Sequence, residues 1–290
     1  MKNRDIGGVP VSAIGLGGMP MSIEGRPDEA RSIRTIHAAL DAGVTLIDTA
    51  DAYHIHADEV GHNESLIAKA LASYGGDTSH VLVATKGGHQ RPGDGSWTID
   101  GSPEHLREAV DASLKRLGVD AIGLYQYHRP DPRVPYAESV GVLAELLDAG
   151  KIRLAGISNA NVDQIREANE ALGGRLASVQ NQFSPEFRSS EAELNHCAAE
   201  NIAFLPWSPL GGISRAGQLG ERFAIFEEVA NAHGVSPQRV CLAWMLAKAP
   251  VVIPIPGASR PESVLDSVAA VDLVLTDDQY AALDAANVRP

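Results

Sequence analysis

Cysteine is nearly absent from this chain: Cys197 and Cys241 are the only two in 290 residues. Two thiols cannot build a disulfide framework, and nothing near them has metal-ligand spacing. Both fall in stretches that read as helices. No apolar run approaches the ~18 residues of a membrane span. Met1-Lys2-Asn3-Arg4-Asp5 leads into no unbroken apolar segment, so no signal peptide is expected. Positive charge is short as well, with 24 Lys and Arg against 37 Asp and Glu and a formal net charge of −13. That balance argues against nucleic acid or an anionic membrane as a partner. An anionic cofactor would need a local basic or amide-rich spot. No Pro/Gly/Ser-rich linker or low-complexity tract divides the chain. The expectation is one cytoplasmic, soluble domain spanning residues 1–290, with a single sizeable core.

What is present is a repeating pattern. Asp5-Ile6 and Val9-Pro10-Val11 flank Gly7-Gly8, the signature of a short N-terminal β-hairpin. After it, short apolar or β-branched runs alternate with longer segments of helical periodicity. The strand candidates are residues 11–16, 45–48, 81–85, 121–127, 153–157, 178–182, 203–207 and 251–255. Between them, Leu106, Val110, Leu114 and Leu117 form one helical stripe that starts at Ser102-Pro103-Glu104. Gly43, Gly118, Gly150 and Gly234 stand where helix C-caps are expected. Strands that alternate with helices must pair in parallel, because each helix is a crossover. Eight such units predict an α/β fold of the (β/α)8 TIM barrel type, typically ~250 residues. An open doubly wound sheet is the competing architecture, which periodicity alone does not exclude.

In a barrel, the residues just past the C-terminal end of each strand converge on one site. Asp48 and Tyr53 follow the second strand, Lys86 the third and His128 the fourth. Neighbouring strands are ~4.8 Å apart, so the four side chains can meet. Taken singly each has an ordinary reading: a helix cap, a solvated charge, a hydrogen-bonded structural histidine. Together they make an acid site. Tyrosine, with a reference pKa of ~10, is a poor donor near neutrality. A nearby ammonium should lower that value, and an aspartate keeps a buried lysine charged. An imidazole can hydrogen-bond a substrate oxygen. Such a set can protonate a carbonyl oxygen as hydride reaches its carbon.

These residues, with their neighbours, resemble the aldo-keto reductase superfamily. The marks are the Asp48-to-Tyr53 spacing, Ala84-Thr85-Lys86, and His128 ahead of Arg129-Pro130-Asp131. Further marks are Gly150-Lys151-Ile152-Arg153 leading to Gly156-Ile157-Ser158-Asn159, and Ile255-Pro256-Gly257. The resemblance runs through nearly the whole chain. It implies reduction of a small-molecule aldehyde or ketone by NADPH, with Tyr53 as general acid, Lys86 and Asp48 tuning it, and His128 orienting the carbonyl. It also implies the cofactor positions. Ser158, Asn159 and Gln180 would hold the carboxamide, and Trp207 would stack on the nicotinamide. Ser208, Pro209, Leu210 and Gly211 would pass the pyrophosphate. Gly257, Ser259, Ser263, Asp266 and Ser267 fall at the adenosine offsets, and Arg260 is the local cation for the 2′-phosphate. Gly18 and Met19 are expected on the site floor, and Asp48 borders the cofactor as well as the acid. Ser263, Asp266 and Ser267 depart from the family's frequent Gln or Arg, Glu and Asn.

Other signals point elsewhere with less weight. Gly15-Leu16-Gly17-Gly18 lacks the third glycine of a dinucleotide fingerprint, since Pro20 stands there. His54, His56 and His62 hint at a metal, but later strand ends offer Ser158-Asn159, Gln180 and Trp207 rather than ligands. Cofactor-binding regulatory subunits of potassium channels share the motif set and form the alternative reading; the absence of an obvious extra segment at either end favours a free enzyme. The substrate pocket is expected from loops 87–102 (with Trp97), 129–136 and 211–222. A short tail after Thr276 predicts an open pocket that tolerates small or aryl aldehydes.

Overall fold

The apolar runs become parallel strands inside a ring of helices in the computed structural model, which describes residues 1–286. The chain opens with β1 (Asn3–Ile6), β2 (Val9–Ser12) and β3 (Leu16–Gly17), then α1 (Glu29–Asp41), β4 (Leu46–Asp48), α2 (His62–Ser73) and β5 (Leu82–Gly87). A small hairpin of β6 (His89–Gln90) and β7 (Thr98–Ile99) precedes α3 (Pro103–Leu117), β8 (Ile122–Tyr127), α4 (Tyr136–Asp148), β9 (Ile152–Ser158) and α5 (Val162–Ala171). The remainder is β10 (Leu176–Gln180), α6 (Glu191–Glu200), β11 (Ala203–Phe204), α7 (Leu219–Arg222), α8 (Ala224–His233), α9 (Pro237–Lys248), α10 (Pro261–Val268) and α11 (Asp277–Asp284). The end of the tail discussed above, residues 287–290, lies outside the described residues. No helix among the described residues is long and apolar enough to cross a membrane.

Seven strands hydrogen-bond in the order β11-β10-β9-β8-β5-β4-β3. Parallel bridges Gly17↔Gly257 and Phe204↔Val252 close the ring through residues 251–257, completing a (β/α)8 barrel. That eighth stave is irregular, and the expected strand at 251–255 is not a regular one. Pro254 and Pro256 have no N–H to give. Their carbonyls accept instead from the amides of Gly15 and Gly17 (2.9 and 3.0 Å), while Ile253 and Ile255 donate to Phe204 and Pro206 on the other edge. Pro206 likewise cuts the seventh strand to two residues, and pairing resumes only at the Gln182↔Trp207 bridge.

The expected first barrel strand, 11–16, divides in two. Residues up to Ser12 pair antiparallel with β1, from Asn3↔Ser12 to Ile6↔Val9, and only Leu16–Gly17 enters the barrel. Ser12 ends the first run because its backbone and side chain are taken by Thr45: the Ser12 amide donates to Thr45 Oγ1 (2.8 Å), and the Thr45 amide to Ser12 Oγ (3.0 Å). The hairpin closes the barrel floor, with Ile6 and Val11 packed into the interior cluster with Leu46, Leu124 and Leu205. Gly7 (φ +58°) turns the hairpin where a Cβ would sit 2.9 Å from Leu154 Cδ2. Arg4 then ties it to the end of α9, donating to the carbonyls of Leu246 (2.7 Å) and Ala249 (2.5 Å).

The largest core lies between strands and helices. In α3, Ser102 caps the N-terminus, Pro103 occupies the first turn, and Gly118 (φ +67°) ends the helix. Leu106 and Val110 from its apolar stripe are fully buried there, with Leu114 and Leu117 packed at the edge. Each fully buried side chain of this size contributes ~1.5–3 kcal/mol. Cys197 on α6 and Cys241 on α9 sit in the same layer, and burial pushes the Cys197 thiol up to about 12. Neither thiol is poised to react.

Candidate active site

β4, β5 and β8 lie side by side, with Asp48 opposite Ala84 and Lys86 opposite Gln126. Their C-terminal ends bring three of the predicted groups together, and a turn returns the fourth. Tyr53 comes back because the segment after β4 is held to β5: Thr49 N donates to Ala84 O (2.8 Å) and Asp51 N to Lys86 O (3.3 Å). Thr49 Oγ1 also donates to Asn63 Oδ1 at 2.6 Å. His128 follows β8 directly, its amide bonded to Gly87 O (2.9 Å). Its ring meets the Tyr53 ring edge-on with centroids 5.9 Å apart.

Lys86 is at the centre. Its Nζ donates to Asp48 Oδ2 at 2.7 Å, to the Thr49 carbonyl at 2.8 Å and to the Tyr53 hydroxyl at 3.1 Å. An ammonium has three donors, and all three are used. Asp48 Oδ1 accepts from Gln180 Nε2 at 2.7 Å, so the carboxylate is held from both sides. Burial works against the Lys86 charge, but Asp48 and Tyr53 outweigh it and the ammonium is held above its ordinary value. For Tyr53 the sequence expectation is overturned. Burial, joined by the Asp48 charge, outweighs the lowering by Lys86, so the net direction is upward and the hydroxyl keeps its proton. His128 is held well below its ordinary value, first by burial and then by Lys86, His89 and Arg129, and so stays neutral. Its Nδ1 is buried without a partner.

These groups open onto a cavity of about 610 Å³ at the C-terminal rim of the barrel, within the ~300–1,000 Å³ usual for ligand sites. Of the predicted residues, Met19, Asp48, Tyr53, His128, Ser158, Asn159, Gln180, Trp207, Ser208, Pro209, Leu210 and Gly257 line it. Lys86 lies behind the wall, fully buried. Gly18, expected on the floor, does not line the cavity. It packs below, where its amide bonds Asp48 O and a Cβ would come within 2.9 Å of that oxygen. Gly211 is not in the wall either, although its neighbours Leu210 and Gly212 are.

The structure leaves Ser259, Arg260, Ser263, Asp266 and Ser267 outside this cavity, on α10 and the residues leading into it. Arg260 and Ser263 are joined by a 2.9 Å hydrogen bond. Asp266 is already engaged: Arg239 holds Oδ1 through two bonds of 2.7 and 3.1 Å, and the Ser236 hydroxyl takes Oδ2.

The cavity fits a nicotinamide cofactor on three observations. Trp207 presents an indole whose Nε1 is buried and unpartnered. Gly17 and Gly257 add bare backbone to the wall, and a Cβ on Gly257 would fall 2.7 Å from Pro20 Cγ. The 208–212 bend turns through positive φ at Ser208 (+49°), Gly211 (+87°) and Gly212 (+97°), a form suited to offering amides to phosphate. Ser158 Oγ is committed to Gln180 O (2.6 Å), and Asn159 Nδ2 to His128 O (3.0 Å) and Ser158 Oγ (3.0 Å). The Asn159 and Gln180 side-chain oxygens are the acceptors these bonds leave for a carboxamide.

One cavity residue lay within the expected pocket loop 87–102 but was given no role of its own. His89, on β6, stacks on Trp97 with centroids 4.7 Å apart and meets His128 edge-on at 4.9 Å. The Arg91 guanidinium lies 4.6 Å from the Trp97 ring. Burial, with Arg129 nearby, pushes the His89 imidazole down to about 4. The signal was its place three residues beyond Lys86, still on the strand-end rim. The other histidines go elsewhere: His54 Nδ1 pairs with His56 O (2.7 Å) and His62 Nδ1 with Ser22 Oγ (2.8 Å). Among the described residues no three His, Cys, Asp or Glu side chains gather to share a metal ion.

A sequence model of the aldo/keto reductase family matches residues 13–288. An uncharacterized oxidoreductase of Schizosaccharomyces pombe is 35% identical over 283 residues, covering 96% of this chain and 88% of its own. A 6-dehydroglucose reductase of Novosphingobium aromaticivorans is 34% identical over 287 residues, covering 96% and 93%. Among solved structures, an aldo-keto reductase from Klebsiella pneumoniae in complex with NADPH superposes with a TM-score of 0.79 at 28% identity, covering 98% and 95%.

Proposed function

The chain belongs to the aldo/keto reductase family, and on that premise we propose that it reduces aldehydes or ketones to alcohols with NADPH, using Tyr53 as the acid. The observation that carries the reading is Lys86, whose three protons are spent on Asp48, Thr49 and the Tyr53 hydroxyl at the wall of a cavity. The Klebsiella relative solved with NADPH supports the cofactor. Bound NADPH would supply the hydride that turns the carbonyl carbon into an alcohol carbon.

Trp207 would stack on the nicotinamide while Asn159 and Gln180 accept from its carboxamide. The 208–212 backbone would face the pyrophosphate, and Arg260 the 2′-phosphate. The protein's own work is on the other atom. Tyr53 is protonated at rest and gives its proton to the carbonyl oxygen as negative charge grows there. The phenolate left behind is born against the Lys86 ammonium, which already points at it, so no group must move to stabilise it. Asp48, anchored by Gln180, keeps that ammonium charged and aimed. His128 stays neutral and carries one N–H. With Nδ1 buried and unpartnered, the proton belongs on Nε2, where it donates to the same carbonyl oxygen and sets its angle toward Tyr53.

Tyr53→Phe tests the reading. It should lower NADPH-dependent reduction across an aldehyde panel by ~10²–10⁴-fold, the range of general-acid catalysis, while NADPH still binds in a fluorescence titration. Turnover within a few-fold of wild type would overturn the assignment. Rapid exchange of NADPH between turnovers separates a free enzyme from a cofactor-retaining regulatory subunit.

A further inference from the structure

Most arginines among the described residues are neutralised by a carboxylate. Arg26, Arg91, Arg107, Arg116, Arg133 and Arg239 illustrate the rule, each against a carboxylate. Arg4 is spent on two carbonyls. Those with no ion pair among the described residues, such as Arg31, Arg34 and Arg153, stand exposed in water. Arg129 is different. It is half-buried, forms no ion pair or side-chain hydrogen bond among the described residues, and holds its Nε buried without a partner. Leaving a half-buried guanidinium unpaired costs stability, so its position calls for a ligand.

Its surroundings say which. Arg129 lines the main cavity together with Tyr53 and His128. The other titratable groups of that wall cancel or carry nothing. Asp48 is paired with Lys86, the Tyr53 phenol is protonated, and His89 and His128 are neutral. The charge of Arg129 itself helps to hold both histidines neutral. One positive charge therefore stands uncompensated in the cavity of a chain with net charge −13. Behind it lies a polar alcove of about 370 Å³, which Arg129 also lines. Glu193 lines that alcove too, with Oε2 buried and unpartnered. Glu193 is absent from the main-cavity wall, so an anion is favoured on the cavity side and not in the alcove. On the same wall Trp97, Ile99 and Ile213 offer apolar side chains that suit a carbon skeleton.

We propose that Arg129 anchors a carboxylate carried by the carbonyl substrate, so that the preferred substrates are oxo-acids with an apolar or aryl spacer. The carboxylate meets the guanidinium while the carbonyl oxygen reaches Tyr53 and His128. This rests on the reductase reading above. Guanidinium suits the task because its fork matches both carboxylate oxygens.

The test compares 4-carboxybenzaldehyde with its methyl ester, the same skeleton without the charge, each reduced by the full-length protein with NADPH. Wild type should favour the acid by roughly tenfold or more in kcat/KM, the weight of one charge-assisted hydrogen bond. Arg129→Gln should collapse the acid-to-ester ratio toward one, chiefly through KM for the acid, and Arg129→Lys should recover part of it. A wild type with no acid preference overturns the proposal, as does a ratio unchanged in Arg129→Gln. Should that variant not fold, the wild-type preference and its partial retention in Arg129→Lys decide in the same sense. A second readout needs no turnover: benzoate should quench the fluorescence of Trp97 and Trp207 more than benzamide does, and Arg129→Lys should narrow the difference. If neither aldehyde is reduced, the reductase reading fails, and benzoate against benzamide still decides the role of Arg129.

Discussion

Replacing Lys86 with Met removes one charge and three hydrogen bonds from a position with no solvent access. Methionine has nearly the same length and volume, so the packing cost is small. What remains is Asp48, 3% exposed, with a single donor, Gln180 Nε2 at 2.7 Å. Stripping one partner from a buried ion pair costs ~3–5 kcal/mol. At ~2–4 °C per kcal/mol for a chain of this size, the melting midpoint should fall by roughly 6–20 °C. Urea unfolding at neutral pH, followed by circular dichroism, measures the same loss as a free energy. The decisive arm is the double variant Lys86→Met with Asp48→Asn. It replaces both charges by neutral groups of similar shape and should recover at least half of the lost stability, because the buried unpaired charge is gone. Activity should stay lost in both, since the ammonium beside Tyr53 is missing from each. A single variant within about 1 kcal/mol of wild type would refute the reasoning, because it would mean a cost far below that of an orphaned buried charge. A double variant less stable than the single one would refute it too.

Three further outcomes follow from the geometry. Gly18→Ala should destabilise the protein by ~1–3 kcal/mol in a melting assay, because its Cβ would press on the backbone carbonyl of Asp48 at 2.9 Å. His89 and His128 are held neutral by burial, with His89 pushed down to about 4. The unfolded chain therefore takes up protons that the folded one refuses, so their share of the stability is whole above pH ~6.5 and is lost as pH falls below it. A stability profile flat between pH 6.5 and 5 would contradict that. Arg260→Ala should raise KM for NADPH far more than for NADH; equal effects would remove Arg260 from the phosphate site.

The second to sixth barrel strands were legible because they are largely buried runs, the sixth lying two residues earlier (Leu176–Gln180) than expected, and a parallel strand covered on both faces shows little alternation. The seventh and eighth blurred where proline removes donors, at Pro206, Pro254 and Pro256, so apolar character and regular pairing part company. The first strand was misplaced because residues 11–16 read as one extended run, and only the exchange between Ser12 and Thr45 shows where it breaks. The clustering of the four candidate acid-site residues was legible for a simple reason: each sits at a strand end or one turn beyond, so order along the chain becomes proximity in space. The sign of the Tyr53 shift was not, because the sequence names the lysine but not the depth of burial around it. The adenosine end was read from offsets alone. Those cannot reveal that Arg239, on a different helix, already holds Asp266.

The irregular stave that closes the barrel also sets a timetable for biosynthesis. Asp48, Tyr53, Lys86 and His128 are all made within the first half of the chain, on strands that pair with their immediate neighbours. Residues 251–257, which join β3 to β11, emerge last among the staves. The tie between Arg4 and the Ala249 carbonyl spans 245 residues. Until then a nascent chain carries its reactive groups on a sheet with two raw edges, the kind of surface that recruits other chains. Contacts this distant in sequence are slow to form. Ribosome-bound chains stopped just short of residue 250 should therefore be the most aggregation-prone species this protein passes through, and the few residues after that point convert them into an enzyme.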